Sequence, residues 1–151
     1  MTDIEIKQRI TNLSTNQNNF PASISKSSFG SARKYYRFMD KIELEFGICF
    51  SYDDLDKTYT LDELTKKISE RIGKQKSNIT LLKQRLETND RYIFELFLVA
   101  LVFALFIWRG INWLSISVTV LSLVIIYWLV SSKLYNKMHN KKLQLRMAEE
   151  K

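Results

Sequence analysis

The stretch IFELFLVALVFALFIWRGINWLSISVTVLSLVIIYWLV, residues 93 to 130, places only two charged side chains, Glu95 and Arg109, in 38 positions. It breaks once, at Arg109-Gly110-Ile111-Asn112. This is the pattern of a membrane hairpin. The first arm, Ile93 to Trp108, has 16 residues and spans about 24 Å as a helix, a little less than a hydrocarbon core of roughly 30 Å. The second arm, Ile111 to Val130, has 20 residues and is long enough unaided. Lipid offers a backbone no hydrogen bonds, so each arm is expected to be an α-helix, with the reversal at Gly110 in the far headgroup region.

The cations set the expected orientation. Lys74, Lys76, Lys83, Arg85 and Arg91 precede the hairpin, Lys133, Lys137, Lys141, Lys142 and Arg146 follow it, and the turn holds only Arg109. The positive-inside rule then predicts an integral protein of a bacterial inner membrane with both termini cytoplasmic. Trp108 and Trp113 flank the outer turn, whereas Tyr127 and Trp128, with Tyr92, lie toward the inner surface. Amphipathic rings favour these two levels, and the four residues Trp108, Trp113, Tyr127 and Trp128 form the expected membrane-interface set. Glu95 lies about one turn inside the first arm, within reach of Arg91 four residues earlier, and is expected to pair with it. The N-terminus carries acids and no apolar run, so it does not read as a cleaved signal peptide, and the hairpin itself is the expected targeting signal.

Outside the hairpin, 92 residues precede and 21 follow, enough for one small domain and a tail. The net charge of +7 is unevenly spread: the tail has six basic and two acidic side chains, the leading segment 16 and 13. A lone Cys49 can form neither an internal disulfide nor a thiolate metal site, and His139 has no ligand cluster beside it in sequence. No metal site is expected, and His139 reads as a solvated tail residue.

Thr2-Asp-Ile-Glu5 has capping-box spacing, followed by Ile4, Ile6, Ile10 and Leu13 on an approximate helical stripe. The segment from Ser14 to Ser31 is rich in Ser, Thr and Asn and reads as a long loop pinned by Phe20, Ile24 and Phe29. Ala32 to Phe46 carries Tyr35, Tyr36, Phe38, Met39, Ile42 and Phe46 on one face and stops at Gly47, a natural left-handed cap. Ser51 caps a short turn around Asp53 to Lys57, and Thr60 opens a further helix carrying Leu61, Leu64, Ile68 and Ile72. Beyond Gly73, which need not stop that helix, Ile72, Ile79, Leu82, Leu86 and Ile93 recur at heptad-like intervals, suggesting a stalk that pairs with a second copy. The expected architecture is all-α: a small helical bundle over residues 1–72, a helical stalk over 73–92, the transmembrane hairpin over 93–130 and a basic cytoplasmic tail over 131–151. Leu134, Met138, Leu143, Leu145 and Met147 among the tail's lysines suit a short helix lying on an anionic leaflet.

From Phe38 to Ile68 the chain reads FMDKIELEFGICFSYDDLDKTYTLDELTKKI. This resembles the second half of acyl carrier proteins in three features. They are the glutamate-rich ending Ile42-Glu-Leu-Glu-Phe46-Gly47-Ile48, the acidic short segment Tyr52 to Lys57, and the threonine-rich entry Thr58-Tyr-Thr60-Leu61. The likeness extends over roughly Thr2 to Ile72 and implies a carrier-like helical fold. Proteins of that family present Asp-Ser-Leu at the start of helix two, whose serine carries phosphopantetheine. This chain has Phe29-Gly30-Ser31-Ala32-Arg33. Counting back from Phe46 without a gap puts Ala32 at the serine position, and Ser31 matches after a one-residue deletion. The family typically docks on basic enzymes through an acidic second helix, whereas Arg33, Arg37 and Lys41 here make a basic ridge. Its expected partners are an acidic protein surface or anionic lipid headgroups, the latter at about 1 kcal/mol per basic residue.

No nucleophile with a base, phosphate-binding glycine loop or metal cluster can be assembled from these residues, and no nucleic-acid-binding signature accompanies the basic ones. The expectation is a non-enzymatic docking or scaffolding protein anchored in the bilayer. Two alternatives stay open: a functional acyl or peptidyl carrier modified on Ser31, and a two-helix effector that oligomerises and permeabilises the bilayer.

Overall fold

The computed structural model describes residues 1–14, 21, 23–89 and 92–149. Among them lie seven helices: α1 (Asp3–Leu13), α2 (Ala32–Phe46), α3 (Tyr52–Asp56), α4 (Leu61–Ile72), α5 (Gln75–Asn89), α6 (Ile93–Arg109) and α7 (Trp113–Glu149). The all-α class holds: among the described residues the extended chain meets itself only at an isolated antiparallel bridge between Ile24 and Tyr59.

Each early helix starts where a side chain satisfies its first amides. Thr2, Ser51 and Thr60 close reciprocal capping boxes with Glu5, Asp54 and Glu63, opening α1, α3 and α4. Ser31 caps α2 by accepting from the Lys34 amide. At the other end of α2, Gly47 has φ of 60°, the left-handed turn that a residue with a Cβ adopts at a cost.

The α2 stripe becomes the centre of the core: Tyr35, Phe38, Met39, Ile42 and Phe46 are buried, and Ile6 and Ile10 of α1 and Leu64 and Ile68 of α4 close over it. α1 packs against both α2 and α4. Of the α1 apolar residues, Ile4 departs from expectation, being 79% exposed. It is two residues from Ile6, about 200° around the helix, so both cannot face the same core. The loop is pinned as its spacing suggests at Ile24, which is fully buried, and at Phe29, half-buried against Phe38 with ring centroids 4.9 Å apart. The backbone amide of Ile24 donates to Tyr59 at 2.6 Å and that of Tyr59 donates back at 3.0 Å, holding this loop to the α3–α4 connection. Phe20 lies outside the described residues.

Gly73 does stop α4, contrary to the reading that a helix passes through it. α4 ends at Ile72 and α5 begins at Gln75. The Asn78 side chain fixes the corner by donating to the Arg71 carbonyl at 2.9 Å, and Asn78 is 1% exposed. Of the heptad-spaced residues, Ile72 belongs to α4, Ile79, Leu82 and Leu86 to α5, and Ile93 to α6.

The chain divides into two compact units, one comprising Met1–Gln84 with the end of α7 from Asn140, the other Arg85–His139. α7 bears on the tail expectation, because it runs 37 residues without a break from Trp113 to Glu149. Nothing in residues 131–149 interrupts the hydrogen-bond ladder, so the tail continues the second arm rather than forming a separate surface helix. Its apolar residues also separate: Leu143 is completely buried within the first unit, while Leu134, Met138 and Leu145 are more than half exposed. His139, expected in solvent, is instead 8% exposed.

Candidate membrane anchor and docking surface

In the second unit, α6 and α7 present apolar side chains outward. Phe94, Leu96, Phe97, Phe103 and Ile107 on α6 and Val120, Leu121, Leu123 and Val124 on α7 are all more than half exposed. An outward-facing apolar surface on this scale is normal for a helix solvated by lipid and not for one solvated by water. Two helices, the one ending at Arg109 and α7, are long and apolar enough to cross a membrane. Trp108, Trp113, Tyr127 and Trp128 are 70–84% exposed, leaving their rings free to stand at an interface.

The turn between the arms is closed by its own polar groups. Asn112 accepts from the Ser115 amide at 2.9 Å and donates to the Arg109 carbonyl at 3.2 Å, and the Ser115 hydroxyl donates to the Gly110 carbonyl at 2.9 Å. Gly110 has φ of 66° and ψ of −165°, a region that only glycine enters without strain. Farther along α7, Ser117 and Thr119 turn their hydroxyls back onto the carbonyls four residues earlier, at 2.9 and 2.7 Å, so neither polar atom requires water.

The buried face of the hairpin carries the unit's least expected feature. Glu95 is 6% exposed, and Lys133 Nζ lies 2.5 Å from its Oε1. The same ammonium stands 4.7 Å from the Tyr92 ring centroid, where the ring's electron-rich face attracts it. Arg91, the expected partner, lies outside the described residues. The sequence did hold a signal for the observed pair: Lys133 is the first cation after the second arm, near the level to which the first arm returns Glu95.

The bundle has a different electrostatic character. Asp54 is buried and receives Arg71 and, at 3.1 Å, Lys67, while Ser51 donates its amide at 3.2 Å. Burial alone pushes its carboxyl up, but the donors from Arg71, Ser51 and Lys67 outweigh burial and hold its pKa down at about 2. Tyr59 donates to the Asp54 carbonyl at 2.9 Å, and its phenol is held well above the ordinary range by burial and by the neighbouring carboxylate. Glu43 is completely buried and accepts from the Phe50 amide at 2.7 Å, ordering the turn after α2. Neither buried carboxylate stood out in the sequence, since each looked like one more acid in an acidic segment.

Arg33, Arg37 and Lys41 lie where the α2 periodicity puts them, on the exposed side opposite the core, with Lys34 beside them. None of these four has an ion pair among the described residues, whereas Lys7, Arg9, Lys26, Lys67, Arg71 and Lys74 each hold a carboxylate. Ser31 is exposed at the start of the same helix, its hydroxyl accepting from the Lys34 amide at 3.3 Å. Comparison with protein-family models, curated proteins and solved structures returns no match.

Proposed function

We propose that this chain is a membrane-anchored docking module without catalytic activity, held by the α6–α7 hairpin with its helical bundle and both termini on the cytoplasmic face. The observation that carries this reading is the contrast between a lipid-compatible hairpin and a bundle whose α2 cations Arg33, Lys34, Arg37 and Lys41 hold no ion pair among the described residues. The hairpin supplies place, and the cations supply attraction to an anionic surface. Catalysis has little to work with in the bundle's buried carboxylates: Arg71 and Lys67 occupy Asp54, and the Phe50 amide occupies Glu43. The order α1, long loop, α2, short acidic α3 and α4 agrees with the carrier-like fold implied by the resemblance, and the docking role is proposed as a reuse of that frame.

Anchoring and topology are tested together. The protein is expected to stay in the membrane pellet after alkaline carbonate washing. Cysteines introduced at Gln8 and Lys141, both exposed, should resist a membrane-impermeant maleimide in intact cells and label after permeabilisation. Recovery in the soluble fraction, or labelling in intact cells, overturns the reading.

One observation favours a second reading, a carrier that is modified. Ser31 is exposed and stands at the first turn of α2, where the resemblance implies an attachment serine. Against it, that turn carries Arg33 and Lys34 and no acid. Intact mass after co-expression with a phosphopantetheinyl transferase decides between the two.

A further inference from the structure

We infer that the exposed row of cations on α2 docks on anionic phospholipid headgroups in the leaflet that anchors the chain; this rests on the membrane-anchored reading above. The row is a direct product of helical geometry. Tyr35, Phe38, Met39, Ile42 and Phe46 turn one side of α2 into the core, which leaves Arg33, Lys34, Arg37 and Lys41 outside. Arg33, Arg37 and Lys41 are four residues apart, so their Cα atoms rise about 6 Å at each step and form a row about 12 Å long.

Elsewhere in the bundle the sequence keeps its charges balanced. α1, α3 and α4 each place two acids in their first turn, opposite the positive end of the helix dipole. α2 places Arg33 and Lys34 there and no acid. That arrangement works against the helix, and it is the one that would draw an anion to this face.

The surroundings of the row select lipid over protein. Stable protein interfaces are organised around apolar or aromatic anchors at their centre. The exposed side of α2 has no fully exposed one: Tyr35 and Phe38 are buried, Leu44 is half-buried, and Tyr36 is half-buried with its hydroxyl directed to Asp56 at 3.4 Å. The large exposed apolar residues of the bundle, Met1, Ile4 and Tyr52, belong to other segments. A convex cationic row without an anchor fits a laterally mobile array of phosphates, for which no shape match is needed. Tethering to the same bilayer supplies those phosphates at high local concentration.

The test uses the full chain in nanodiscs of phosphatidylcholine, with or without phosphatidylglycerol. A fluorophore on Ala32→Cys reports beside the row, and one on Gln8→Cys reports from α1, while the native Cys49 is buried, and the parent chain carried through the same labelling sets the background. With a headgroup-spin-labelled lipid as quencher, quenching at position 32 should rise when phosphatidylglycerol is present and fall back in high salt. Reversing Arg33, Arg37 and Lys41 to Glu should remove the rise, shifting the docked-to-free ratio on the order of a hundredfold. The milder Gln triple should remove most of it, with circular dichroism confirming that the bundle is folded. Quenching indifferent to phosphatidylglycerol, salt and both triples overturns the inference and leaves the row to an acidic protein face. Failure of the chain to enter nanodiscs at all would instead sink the membrane-anchored reading.

Discussion

Lys133 Nζ lies 2.5 Å from Oε1 of Glu95, joining the second half of the α6–α7 hairpin to its first across 38 residues of sequence. Glu95 is almost completely covered and the Lys133 side chain is 23% exposed, so the pair is largely shielded from solvent and lipid. A charge left alone in such a place is much costlier than a pair.

That asymmetry gives a pattern of stabilities. Glu95→Gln or Lys133→Met alone should destabilise the hairpin more than replacement of both residues, because each leaves one uncompensated charge. Replacing both by Leu should be nearly neutral, and exchanging the two charges should recover a large part of the loss. Unfolding of the purified protein by SDS titration from mild micelles measures all four. Equal stability in the single variants and the parent would show that the ion pair contributes nothing.

The Asp54 network predicts an acid-labile bundle. Its folded pKa is depressed from 3.8 to about 2, so between those values the unfolded chain binds the proton that the folded chain refuses. The contribution is fully present above the ordinary carboxylate range and is lost as pH falls toward 2. It amounts to about 2 kcal/mol from the shift. Denaturant titrations followed by circular dichroism should show stability falling from pH 5 to pH 2, with a shallower fall in Asp54→Asn. An identical slope in the two proteins would remove Asp54 from the account.

Gly110 should be intolerant of a side chain for a purely backbone reason. An added Cβ there meets no atom within 4 Å, yet φ of 66° strains any other residue. Gly110→Ala is expected to cost about 1–3 kcal/mol. Thermal denaturation in detergent should register it, whereas Gly73→Ala, at φ of −72°, should leave the midpoint almost unchanged by comparison.

Ser31 is expected to be a cap and not an attachment point. Ser31→Ala should lower bundle stability by about 1 kcal/mol, the usual worth of such a cap. Intact mass should not change on co-expression with a phosphopantetheinyl transferase. A gain of one phosphopantetheine, abolished by Ser31→Ala, would replace the docking reading with the carrier reading.

Local chemistry was written plainly in the chain. Thr2, Ser51 and Thr60 cap the elements they precede, and Gly47 ends α2, as the chain's own spacing suggests. Each of these features is settled within one helical turn, so a short window of sequence contains both partners. The same holds for the α2 stripe, which faces its buried and its charged sides as the 3.6-residue period requires. The two apolar arms were equally legible, because a long, continuously apolar helix shows itself in composition alone.

The sequence by itself determined the all-α class, the two arms, the caps and the basic face of α2, since propensity, capping and periodicity act over a few residues. Tertiary structure alone decided that Glu95 meets Lys133, that Arg71 and Lys67 converge on Asp54, and that Glu43 serves Phe50. It also decided that Leu143 is buried while its neighbours Lys141 and Lys142 stay exposed. A buried charge is tolerated only where another element brings its partner within contact distance, and that placement depends on how whole helices pack, which periodicity along a single helix does not encode.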